Sequence, residues 1–138
     1  MELNINTGLV KYNLAGKVSV EFNPTDAVFA EKLYTAFQQL DAKQDEYKER
    51  LEKATEAEAL FTVGRDIDAE MKETINGIFG KDVMTPLIGD MSAYAMADGL
   101  PVWANIILAI IDVMDTSITE EAKKSATKID KYTKKYHR

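Results

Sequence analysis

Hydrophobic residues recur along this chain in two rhythms. Over the first 22 positions they alternate with polar ones, in Leu3-Asn4-Ile5 and again in Lys17-Val18-Ser19-Val20-Glu21-Phe22. A period of two sends successive side chains to opposite faces of a strand. Asn6-Thr7-Gly8 and Asn13-Leu14-Ala15-Gly16 supply turn residues, so the pattern predicts a hairpin or short meander over residues 1–22. The rhythm then changes. Asn23-Pro24-Thr25-Asp26 predicts a helix start, with Asn as the cap, Pro preorganised at the first helical position and Asp at the positive end of the helix. Beyond it Phe29, Leu33, Phe37, Leu40, Gln44, Tyr47, Leu51 and Ala54 fall at spacings of three and four, which predicts one long helix over 24–54. From Phe37 onward the spacing is strictly 3-4-3-4, the seam of a helix that packs on another long helix in the same chain or in a partner. Gln44 is the polar exception in that seam.

A second stripe, Ile67, Met71, Ile75 and Phe79, predicts a helix continuous with the first or broken near Gly64, and closed by Gly80. Thr85-Pro86, Gly89-Asp90 and Asp98-Gly99-Leu100-Pro101 make residues 80–101 a set of turns around a short helical piece. Pro101 opens the most apolar helix, Val102 to about Met114, and Ser117-Ile118-Thr119-Glu120 has the form of a capping box that starts or restarts the last helix. Ile118, Ala122, Ser125, Ile129, Tyr132 and Tyr136 line one face of that terminal helix. The expected architecture is mainly α with a small N-terminal β-hairpin, an α+β chain whose compact helical part has four or five helices. It reads as one domain, 1–138, made of a hairpin (1–22), a helical body (23–116) and a basic terminal helix (117–138).

Length and composition change this picture little. A chain of 138 residues with 46% hydrophobic and 29% charged positions is able to bury a single core and lies away from the disordered class. The apolar run Leu100–Ile111 is about a dozen residues, short of the ~20 a membrane span needs, and reads as a buried helix. The absence of cysteine removes disulfides and thiolate chemistry, and the start Met1-Glu2-Leu3-Asn4-Ile5-Asn6 lacks the basic and apolar regions of a signal peptide, so a cytoplasmic location is expected. Charge adds more. Residues 1–122 hold 22 acidic residues against 10 Lys and Arg, whereas 123–138 hold seven Lys and Arg against Asp130 alone. The net charge of −6 argues against general nucleic-acid binding, which rests on clustered cations, but it averages an acidic body and a basic tail.

Candidates for chemistry are few. The one histidine, His137, sits at the frayed end of the chain, which excludes a triad or a His-based zinc site. Asp66, Asp68, Glu70 and Glu73 lie close together, but on a helix only Asp66 with Glu70 and Glu70 with Glu73 share a face, and the spacing of a calcium loop is absent. They read as a solvated face. Gly77, Gly80, Gly89 and Gly99 are too scattered for a phosphate loop. The lysines Lys123, Lys124, Lys128, Lys131, Lys134 and Lys135, with Tyr132 and Tyr136, offer a minor nucleic-acid reading against the simpler one of a basic helix end. No cofactor, metal or catalytic residue is expected, and the chain reads as a binder of other proteins.

Two groups carry that reading. One is the seam Phe37, Leu40, Tyr47 and Leu51. The other is Leu100, Pro101, Trp103 and Asn105, with the only tryptophan at a helix start beside a polar Asn, a residue type favoured in interface hot spots as well as in cores.

The same residues carry a family likeness. Val18-Ser19-Val20-Glu21-Phe22-Asn23-Pro24-Thr25-Asp26 followed by Phe29-Ala30-Glu31-Lys32-Leu33 resembles the start of small tail assembly chaperones from phages of Gram-positive bacteria. Ile75-Asn76-Gly77-Ile78-Phe79-Gly80, Gly89-Asp90 and Gly99-Leu100-Pro101-Val102-Trp103-Ala104-Asn105 are similar to an uncharacterised prophage group from the same gene neighbourhood. The likeness spans residues 18–115. It implies a non-catalytic protein that coats the largely helical tape-measure protein and hands it to polymerising tail-tube subunits, that self-associates, and that sometimes has a second, frameshift-extended form. Two alternatives stand beside it: a small regulator that touches nucleic acid through the basic terminal helix, and a minor structural subunit of the tail.

Overall fold

A computed structural model describes the backbone of residues 1–136 and the side chains of residues 1–127. Strands β1 (Val10–Leu14) and β2 (Val18–Phe22) pair antiparallel in a register running from Val10 opposite Phe22 to Leu14 opposite Val18. Ala15 (φ 53°) and Gly16 (φ 70°) both take left-handed backbone at the turn, the conformation that matches the twist of two-residue hairpin turns. Val20 and Phe22 point into the core, and Tyr12, Phe22 and Phe29 stack in series at centroid distances of 4.6 and 4.3 Å.

Leu3-Asn4-Ile5 forms no strand and is exposed, so the front of the chain is a single hairpin and not a meander. A latch turns the chain just before β1. The Gly8 N–H donates to Asn6 Oδ1 (3.0 Å), and Asn23 Nδ2 donates to the Thr7 carbonyl (2.9 Å). Gly8 has φ 73°, and a Cβ there would lie 2.5 Å from Asn23 Nδ2, so the latch needs glycine. With its side chain committed to this latch and to the Thr25 N–H, Asn23 does not cap the helix. Asp26 does, accepting from the Val28 N–H at 2.9 Å.

The long helix expected over 24–54 is two helices, α1 (Ala27–Ala42) and α2 (Gln44–Lys53), parted at Lys43. Gln44 supplies a reason. Its side-chain amide donates to the Leu40 carbonyl at 2.7 Å, the acceptor that its own backbone N–H would use in an unbroken helix. The next break falls at Ala54-Thr55-Glu56, not near Gly64, and α3 (Ala57–Phe79) runs through Gly64 until Gly80 ends it in left-handed backbone (φ 68°).

Residues 80–101 hold the expected short helix, α4 (Met84–Ile88), and a feature the hydrophobic pattern did not suggest. Met96–Ala97 (β3) and Leu100–Pro101 (β4) form a second small hairpin around Asp98 (φ 54°) and Gly99 (φ 81°). The last helix, α5 (Val102–Tyr136), begins at Val102 as expected, and Pro101 closes β4 just ahead of it instead of occupying its first turn. It is continuous. Ser117-Ile118-Thr119-Glu120 lies inside it, and the boundary drawn between residues 116 and 117 is not a break.

Among the described residues the fold is mainly helical with an N-terminal antiparallel hairpin and five helices, an α+β architecture as the periodicities indicated. α1 and α2 pack along α3, and α1 also packs on the first half of α5. Leu33, Leu40, Ile67, Met71, Ile75 and Ile107 meet between them with at most 1% of their surface exposed. By length and composition Val102–Thr127 is apolar enough to cross a membrane; the run is longer than the dozen residues counted to Ile111 because the helix continues. In this fold its Trp103, Ile107, Ile110 and Met114 face is packed into the core.

Candidate partner-binding surface

The residues singled out for partner binding divide sharply by burial. Leu40 (1% exposed), Tyr47 (4%) and Trp103 (3%) are core, and Phe37 is half-buried with its ring 5.6 Å from that of Trp103. The Phe37-to-Leu51 seam thus packs within its own chain, and Leu40 and Trp103 present no surface to a partner. The cause is α3 and the first half of α5, which supply the facing apolar stripes. Trp103 is an anchor, with an indole N–H that lacks a hydrogen-bond partner among the described residues. Pro101 and Asn105 are half-buried, and Asn105 is spent on structure, its Nδ2 donating to the Ala97 carbonyl (2.8 Å) and fastening the second hairpin to α5. Leu100 alone of that group is exposed.

What remains open lies between α2 and α3. Tyr47 and Leu51 of α2, Ile67 and Met71 of α3, and Tyr94 of the loop before β3 line a groove of about 360 Å³. A second hollow of about 390 Å³ shares Leu51 and Tyr94 with it and is bounded also by Leu60, Phe61 and Gly64. Phe61 is 63% exposed and Leu60 40%. An apolar trough with aromatic walls and a polar rim is the form that accepts one face of an amphipathic helix. The larger hollow between α1 and α3, about 700 Å³, is rimmed by Glu31, Lys32, Lys43, Glu70 and Glu73 and offers few apolar anchors.

Several polar contacts hold the groove in shape. Arg50 on α2 meets Glu70 on α3 at 2.6 Å and lies 5.8 Å from the Tyr47 ring centroid, clamping the two helices. The Arg50 guanidinium titrates above its usual range chiefly because of that hydrogen bond to Glu70. Burial, and then the charges of Glu70 and Glu46, push the Tyr47 hydroxyl above its usual range. Asp68 accepts from the Ala93 N–H (2.7 Å) and pairs with Lys72 (2.9 Å), pinning the loop that carries Tyr94. At Gly64 an added Cβ would sit 2.7 Å from the Tyr94 hydroxyl, so this glycine lets the ring close over the helix.

The chain matches no family model, no curated protein and no solved structure.

The acidic stretch of α3 is less solvated than its sequence suggests. Asp68 and Glu70 are half-buried links to a loop and to α2, and among the described residues no three His, Cys, Asp or Glu side chains gather as a metal site would require. Lys123 and Lys124 are exposed; His137 and the side chains of Lys128, Lys131, Tyr132, Lys134, Lys135 and Tyr136 lie outside the described residues. Leu60, Phe61 and Tyr94 were not singled out from the sequence. Phe61 gave a signal, being a large aromatic next to the Leu60, Gly64, Ile67, Met71 stripe and off its face. Tyr94, in a turn-rich stretch without periodicity, gave none.

Proposed function

We propose that this chain is a phage tail assembly chaperone that works by binding and not by catalysis, holding an amphipathic segment of the helical tape-measure protein in the α2/α3 groove until tail-tube subunits take it over. The observation that carries this is the apolar trough between α2 and α3, with Tyr47, Leu51 and Tyr94 along it and the exposed Leu60 and Phe61 at its edge. The likeness of residues 18–33 to such chaperones, and of residues 75–105 to an uncharacterised prophage group from the same gene neighbourhood, supports it. A helical client offers apolar side chains at intervals of three and four, and a trough between two helices receives them. Such work belongs in the bacterial cytoplasm, where tails are built, and needs no cofactor.

Co-expression with the tape-measure protein from the same locus tests the proposal. The client is expected to be soluble and to co-purify with the wild-type chain, and to be lost with Phe61→Glu, a change at a 63%-exposed position that leaves the core intact. A client equally soluble without the chain, or captured equally by Phe61→Glu, would contradict it.

A further inference from the structure

Helix α5 leaves the core at Met114, and beside that point a groove of about 430 Å³ lies between α1 and α5. Each wall is one helix face. Ala30, Glu31 and Tyr34 come from α1, and Met114, Asp115 and Ile118 from α5, so both walls repeat one order: an apolar residue, an acid beside it and an apolar residue one turn on. Leu33 (1% exposed) and Met114 (4%) close the floor, whereas Tyr34 (61%) and Ile118 (51%) stand open at the rim. Two neighbouring helix faces of this kind are what a third helix packs against, setting its apolar side chains between the walls. Beyond the groove α5 stays exposed from Ile118 through Thr127, and Ala122 and Ser125 continue the Ile118 stripe. The platform from Ile111 to Ser125 is roughly 21 Å long, the length of a helix of about four turns.

Charge narrows the occupant. Glu31 and Asp115, one on each wall, are the only charged lining residues; both are exposed, and neither has an ion-pair partner among the described residues. The α2/α3 groove differs, since Lys48, Glu52, Arg65, Asp68 and Asp90 give its rim both signs. A helix with Lys or Arg along both flanks of its apolar stripe meets a carboxylate on each side of the α1/α5 groove. An acidic helix meets repulsion on both sides, and a neutral one covers both carboxylates without pairing them. The small side chains of Ala27 and Ala30 leave space along α1 for the aliphatic stems of such cations.

We propose that the α1/α5 groove is a docking site for an amphipathic helix of another protein that bears Lys or Arg on both flanks of its apolar stripe. It lies on a different pair of helices from the client groove and stands or falls without it.

The test uses the full chain and two synthetic peptides with the same Leu pattern at spacings of three and four, one with Lys on both flanks and one with Glu. The Lys peptide is expected to bind, to gain helical circular dichroism on binding and to slow amide exchange in 27–34 and 111–118, while the Glu peptide stays free. The double variant Glu31→Lys, Asp115→Lys, altered at two exposed positions, is expected to bind the Lys peptide about tenfold more weakly, as two rim attractions become repulsions. It is also expected to capture the Glu peptide, an exchange of preference that general attraction of a cation to an acidic chain does not give. A Lys peptide that fails to bind, that binds the double variant as tightly as wild type, or that protects Tyr47–Leu51 and Leu60–Gly64 instead would overturn the proposal. So would light scattering that gives twice the chain mass together with protection of 27–34 and 111–118 in the protein alone, since the occupant would then be a second copy.

Discussion

The two halves of α5 are one helix with two fates. In the first, Trp103, Ile107, Ile110 and Met114 are at most 4% exposed, packed into the core against α1. In the second, an apolar stripe of the same period continues through Ile118 with no cover from the described residues. Periodicity therefore reports that a helix face is meant to be covered, and only the tertiary arrangement reports by what. The seam on α1 and α2 makes the same point from the other side, since its 3-4 spacing suited a partner chain as well as it suited α3.

The contrast is broken most strongly inside the core. Ile107→Ala, at a fully buried position, is expected to cost about 2–5 kcal/mol, the range for truncating a packed aliphatic side chain, read as a lower midpoint in urea. Next comes Asp68→Ala, which strips the Ala93 N–H and Lys72 of their partner; a loss of about 1–3 kcal/mol is expected from the stranded groups, together with faster amide exchange in the loop carrying Tyr94. Gly64→Ala separates binding from stability. The roughly 1 kcal/mol gained from better helix propensity offsets part of the clash with the Tyr94 ring, so the thermal midpoint is expected to move little while client affinity falls.

Ile118→Ala sharpens the contrast from the exposed half. It is expected to stay within about 0.5 kcal/mol of wild type, against the large loss at Ile107 earlier in the same helix. The smallest effect is one that acid abolishes. Hydrogen bonds from Thr85, first its hydroxyl and then its backbone N–H, and from the Asn76 amide hold the Asp82 carboxyl below the usual 3.8. A depressed carboxylate adds stability that is complete above 3.8 and is lost as pH falls from there through the lower folded value. Asp82→Asn is therefore expected to lower neutral stability slightly, to leave stability below the folded value unchanged, and so to flatten the acid limb of a stability–pH curve.

Much of the body was legible because each signal was local. The β2 alternation, the Ile67-to-Phe79 stripe with its Gly80 stop and the apolar start of α5 each depend on a few neighbouring residues. The misread places needed information from elsewhere in the chain. Ser117-Ile118-Thr119-Glu120 has the composition of a cap, but capping requires non-helical backbone at the Ser, and here the helix passes straight through it. Asn23 looked like the cap until the Thr7 carbonyl claimed its side chain. The Asp98-Gly99 turn was readable, being among the strongest short hairpin signals, and was obscured by its two-residue strands. The site was half legible: Tyr47 and Leu51 lie on a periodic stripe, whereas Tyr94 reaches the groove only because Asp68 anchors its loop and Gly64 leaves room.

The most direct test of the binding role is amide hydrogen exchange on the full chain, alone and with a helical segment of the tape-measure protein from the same locus. Slower exchange is expected at Tyr47–Leu51, Leu60–Gly64 and Ser92–Tyr94, the segments that wall the α2/α3 groove, with the α1/α5 groove unchanged. A bound client that leaves those three segments unchanged would contradict the assignment of the groove, and no detectable binding at all would contradict the chaperone role itself.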